Sequence, residues 1–126
     1  MATETNDAFG LDGAVIERTA DRAGIATDAL VDALDVLHAE LLGRHSDLEG
    51  TGAYVTHDGV RAYRVRAHVW DDFLETFELD AEIEAAVRHA HTEQARQLFA
   101  ATAEGGDSFD GDEEGVVVEI DTAKQW

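Results

Sequence analysis

Leu30, Leu34, Leu37 and Leu41 recur at spacings of four, three and four, with Val31 and Leu42 beside them. That period is the period of an α-helix, and a stripe so apolar must be buried against other elements. Thr27 is the expected cap and Asp28 the favourable first-turn acid, and the helix is expected to end near Gly43 to His45. At about 0.8 kcal/mol per buried methylene, these leucines dominate the stability of whatever domain the chain forms.

The period then changes. After a polar stretch from Ser46 to Gly52, the segments 53–57 and 60–65 alternate apolar and polar residues around Asp58-Gly59. Asp-Gly suits the positive φ angles of a two-residue type I′ turn, so a hairpin follows, with His57 facing Val60, Val55 facing Ala62 and Tyr54 facing Tyr63. The face carrying Tyr54, Tyr63 and Val65 is the expected core side. Ahead of the leucine helix, a shorter one is expected from a cap at Asp12 to Arg22 or Ala23, with Val15, Ile16, Ala20 and Ala23 inward and Gly24 as its stop. Downstream, Trp70, Phe73, Leu74 and Phe77 suggest a short helix opened by Asp71 and Asp72. Asp80 then caps a long helix to about Ala101, its inner stripe being Ile83, Val87, Ala90, Gln94, Leu98 and Ala101, with Phe99 alongside. The acidic stretch Gly105 to Gly115 lacks the apolar residues to fold alone, and Val116 to Ile120 is β-prone, suited to return as an edge strand on the hairpin.

These elements give an α+β fold in one unit: a flexible segment over 1–11, a globular domain over 12–103, an acidic linker over 104–115 and a strand or tail over 116–126. With 126 residues the chain accommodates one domain. There is no internal repeat.

Twenty-eight carboxylates oppose nine basic residues, eight of them arginine, for a formal charge of −19 with 44% hydrophobic residues and no cysteine. An acidic surface laid over a foldable core, with Lys124 the sole lysine, resembles the proteins of extreme halophiles. Molar salt shortens the Debye length to roughly 3 Å and screens the self-repulsion. The charge therefore reports a solvent of concentrated salt cations rather than a partner. Absence of cysteine excludes disulfides and thiolate chemistry, and the polar run after Met1 gives no apolar leader. No apolar run approaches the ~18 residues of a membrane span, so a cytoplasmic protein without membrane partners is expected.

Within Glu17 to Leu34, Ala20, then Gly24, Ile25 and Leu30 have the spacing of a helix-turn-helix: a small residue for close helix approach, a glycine for the left-handed turn, and branched apolar residues to lock the crossing. Ala33 fills the last apolar slot weakly. Followed by a hairpin, the stretch from about Ala14 to Val69 resembles a winged helix-turn-helix domain. That resemblance implies a small winged-helix-like domain with a long C-terminal helix, acting as a regulatory module on DNA or on a protein partner. It departs from the family upstream, where only about ten residues precede the first helix; the long helix after Asp80 could substitute for the missing one.

From Ala53 to Trp70 the chain carries Arg61, Arg64 and Arg66 against Asp58 alone, making the hairpin its one basic segment. These three, with Arg18 and Arg22, are the candidate contacts to DNA or to a partner, because Arg pairs well with phosphate and carboxylate alike. Against DNA stand Asp28, Asp32 and Asp35 on the proposed recognition helix, where no Arg, Lys, Asn or Gln lies between Ile25 and Glu40 to read a base edge. The alternative is an adaptor, binding another protein or a second copy of itself without nucleic acid.

Catalysis has little support. His89 and His91, two apart on a helix, point to different faces and cannot clasp one ion, so no metal is expected. His38 and His45 fall where a helix C-terminus favours His⁺. Neither Ser46 nor Ser108 sits in a nucleophile elbow, Asp71 and Asp72 suit helix capping, and Gly105-Gly106 lies among acids that repel phosphate. No cofactor and no enzymatic activity are expected.

Overall fold

The computed structural model describes residues 9–43, 54–57, 59–75, 77–101 and 113–119. The elements run α1 (Gly13–Ala23), α2 (Thr27–Gly43), β1 (Tyr54–His57), β2 (Val60–Arg66), α3 (Ala67–Leu74), α4 (Ala81–Ala101) and β3 (Glu113–Glu119). The three strands form one antiparallel sheet in the order β1-β2-β3. Among the described residues the fold is thus α+β, four helices with a three-stranded sheet.

The leucine stripe is buried as its period requires: Leu30, Leu34 and Leu37 are 0% exposed and Leu41 2%. Thr27 is the first helical residue rather than the cap, and Leu30 donates its N–H to the carbonyl of Ala26. At the end of α1, Gly24 adopts φ 72°, ψ 27°, and the N–H of Ile25 reaches back to the carbonyl of Ala20. That left-handed residue redirects the chain into α2 without a Cβ penalty. At the other end, the Asp12 side chain makes no capping bond; the backbone N–H of Asp12 donates instead to Gln94 Oε1 on α4.

The hairpin has the register its turn dictates, with His57 opposite Val60, Val55 opposite Ala62 and Tyr54 opposite Tyr63. Gly59 carries the positive φ, 79°, that the turn needs. β3 joins β2 with Val116 opposite Tyr63 and Glu113 opposite Arg66, so it begins three residues ahead of the Val116 start expected from hydrophobicity. Pairing, not apolar content, recruits Glu113 and Glu114.

Three further sequence expectations are corrected here. The tyrosine side is not the sole core face: Tyr63 and Val65 are buried, but so are Ala62 and Val117 on the opposite side, while Tyr54 is 43% exposed. Both faces are covered because α4 packs across the sheet on one of them, with Gly115 against its backbone. α3 starts at Ala67, so Asp71 and Asp72 are exposed mid-helix residues and open nothing. The buried face of α4 is Ala86, Val87, Ala90, His91, Gln94, Ala95 and Phe99; Ile83 and Leu98 are half-buried and Ala101 exposed. The helix is rotated toward His91 because that residue bonds to β3. The expectations for Ser46 to Ala53, His45, Gly105 to Asp112 and Ile120 lie outside the described residues.

Candidate functional site

β3 lies at one edge of the sheet, and the N–H groups of Gly115, Val117 and Glu119 point away from β2. Each meets a side chain. Gly115 N–H donates to Thr92 Oγ1 at 3.0 Å, Val117 N–H to His91 Nδ1 at 2.9 Å and Glu119 N–H to His38 Nε2 at 3.1 Å. Trp70 Nε1 donates to the carbonyl of Gly115 at 3.0 Å and its ring meets His91 edge-on at 5.1 Å. An edge strand ordinarily offers a template for another chain; here side chains from α2, α3 and α4 occupy those positions.

Both histidines accept a hydrogen bond and are therefore neutral on that nitrogen. Burial pushes His91 down to about 3, with His38 adding to the effect, and burial lowers His38 against the opposing pull of Glu119 and Asp35. His38 is consequently a strand clamp, not a cation complementing a helix terminus. Arg88 ties the same region together: Nε and the Nη2 group bond both oxygens of Glu114 at 2.9 and 2.7 Å, and Nη1 bonds Asp71 at 2.7 Å. Those bonds, Glu114's above all, raise its pKa and hold it charged despite partial burial.

The arginines singled out by sequence do not form one patch. Arg61 projects to the Tyr54 side, donating to Thr56 Oγ1 at 2.9 Å and lying 4.6 Å over the Tyr54 ring. Arg64, of opposite parity on β2, lies 5.6 Å over Phe99 and 3.8 Å from Glu113. Arg66 is exposed at the strand's end, opposite Glu113 in the ladder. Arg18 pairs with Glu93 across the α1–α4 contact, and Arg22 stands in the last turn of α1. Alternation puts Arg61 on the face of β2 opposite to Arg64 and Arg66, while Arg18 and Arg22, one turn apart, belong to α1.

Away from these cations, the exposed side of α2 presents Asp28, Asp32, Asp35, Val36, Ala39 and Glu40. Val36 is 58% exposed, the more conspicuous for the carboxylates of Asp32, Asp35 and Glu40 within one turn of it on the same helix. Between α1 and α4 runs a cleft of about 240 Å³ lined by Thr19, Arg22, Ala23, Ala85, Ala86 and His89. Thr19 is 2% exposed, and its hydroxyl is the one buried side-chain polar atom without a hydrogen-bond partner among the described residues. Such an orphan costs about 1–3 kcal/mol. No sequence signal marks it, since Thr19 occupies an ordinary helical position.

Among the described residues no cluster of three or more His, Asp or Glu is placed to hold a metal. No described helix is long and apolar enough to cross a membrane. A family model described as a domain of unknown function (DUF8048) matches residues 10–120, from the bend before α1 to the end of β3. No curated protein and no solved structure matches the chain.

Proposed function

We propose that this chain, a member of the domain of unknown function (DUF8048) family, is a winged-helix-like regulatory module that engages a protein partner through the exposed face of α2. The observation that carries this reading is the composition of that face. In a DNA-binding helix-turn-helix, the second helix enters the major groove; here it would bring Asp28, Asp32, Asp35 and Glu40 against phosphates, with no Arg, Lys, Asn or Gln on the helix to compensate. The same residues suit a basic protein surface, with Val36 as the apolar anchor within a charged rim.

The winged-helix likeness draws support from three features: the left-handed Gly24 between α1 and α2, the hairpin that follows them, and the third strand beside it. α4 packs on both α1 and α2, in the role of the helix that winged domains carry ahead of the helix-turn-helix. The halophile-like composition adds that the interaction works in concentrated salt, where long-range charge attraction is screened and contact at Val36 matters more.

A DNA-binding regulator is the second reading, favoured by Arg61, which lies over the half-exposed Tyr54 ring on the hairpin. Affinity capture from lysate in molar KCl, followed by identification, separates the two. Under the protein-partner reading a defined protein is retained by the wild type, lost with Val36→Glu and kept with Arg64→Ala. Retention of nucleic acid that Arg64→Ala weakens, with Val36→Glu neutral, would favour the DNA reading instead.

A further inference from the structure

We infer that the cleft between α1 and α4 is a binding site for a small carboxylate with a short apolar body. A threonine inside a helix usually turns its hydroxyl onto the carbonyl one turn back, yet Thr19 leaves Oγ1 buried with no partner among the described residues. Such a group invites a ligand atom. Thr19 lines the cleft, and helical threonine has two accessible χ1 wells, so one rotation exchanges methyl and hydroxyl at the wall. Arg22 stands on the same wall with a guanidinium shaped for bidentate carboxylate binding. Ala23, Ala85 and Ala86 give an apolar surface of small side chains, leaving room for a short alkyl chain inside about 240 Å³.

The surrounding charges permit an anion. Of the acids on that stripe of α4, Glu93 is engaged by Arg18 and faces His89 at 3.6 Å, and Glu82, a turn before Ala85 and Ala86, is exposed where molar salt screens it. Glu17 and Asp21 of α1 line a different cleft, toward the α1–α2 turn. A carboxylate is favoured over phosphate because the lining offers one guanidinium and one hydroxyl beside apolar surface, too few donors for a dianion with several unsatisfied oxygens.

The test is a titration of the isotopically labelled full chain with sodium butyrate in molar KCl, followed by amide NMR, with 1-butanol and inorganic phosphate as parallel probes. Saturable shifts confined to the surroundings of Thr19, Arg22, Ala85, Ala86 and His89 are expected for butyrate alone. Arg22→Gln, at an exposed position, should weaken binding about tenfold, as loss of a charge-assisted bond does. Thr19→Val, nearly isosteric, should weaken it about fivefold. Scattered or unsaturable shifts, equal response to 1-butanol, tighter binding of phosphate, or butyrate affinity unchanged by Arg22→Gln would each overturn the assignment.

Discussion

At the scale of single residues, the structure turns on a few side chains whose neighbours come from far along the chain. Gly115 is one. A Cβ there would lie 2.3 Å from Ala95 Cβ and 3.1 Å from the His91 carbonyl, so Gly115→Ala must push β3 off α4. We expect a loss of about 1–3 kcal/mol, the usual cost of overpacking, measured by urea unfolding in molar KCl; an unchanged midpoint would refute the close approach. Leu34→Ala and Leu37→Ala, which empty fully buried positions, should each cost about 2–5 kcal/mol. His91 gives the pH dependence. Its folded pKa, about 3, lies below the ordinary 6.5, so its contribution is whole above about pH 6.5 and declines as pH falls toward 3. Each unit in that interval removes up to about 1.4 kcal/mol, with His38 acting in the same direction. Thermal melts between pH 7.5 and 5.5, about where histidine titrates, should show the wild type losing stability more steeply than His91→Gln; parallel slopes would contradict the neutral clamp.

At the scale of elements, what could be read from sequence was whatever local spacing controls. The hairpin register follows from Asp58-Gly59, the α2 stripe from four leucines, and the α1–α2 junction from Gly24; all three recur in the structure. What escaped was set by contacts between distant segments. The inward face of α4 is chosen by the bonds of His91 and Thr92 to β3, which no periodicity within the helix encodes. The start of α3 at Ala67 and the extension of β3 back to Glu113 were likewise hidden, because Arg88 on distant α4 bonds the Ala67 carbonyl and Glu114, and β2 pairs with Glu113 and Glu114. Of the candidate site, the acidic face of α2 was legible, whereas the buried hydroxyl of Thr19 was not. The sealed edge carries its own test by hydrogen exchange: the amides of Gly115, Val117 and Glu119 should be protected although they face away from β2. Exchange at the rate of a free edge would show that the side-chain clamps do not persist in solution.

At the scale of the whole molecule, charge and function meet. With a formal charge of −19 on 126 residues, self-repulsion raises the energy of the compact state unless salt screens it. Melting in about 0.1 M and about 2 M KCl, conditions that change the Debye length roughly from 10 Å to below 3 Å, should give a clearly higher midpoint in the concentrated salt. Equal midpoints would remove the argument that the surface is built for brine. The same charge bears on the partner, since α2, the helix that the proposed winged-helix reading would place in a DNA groove, carries Asp28, Asp32 and Asp35 on its exposed side. The most direct measurement is the fluorescence anisotropy of labelled mixed-sequence duplex DNA titrated with the folded protein across a series of KCl concentrations. A flat trace at every salt concentration that keeps the protein folded is the predicted result. A saturable rise whose logarithmic salt slope falls by about one unit on changing Arg61 or Arg64 to Ala would contradict the protein-partner account.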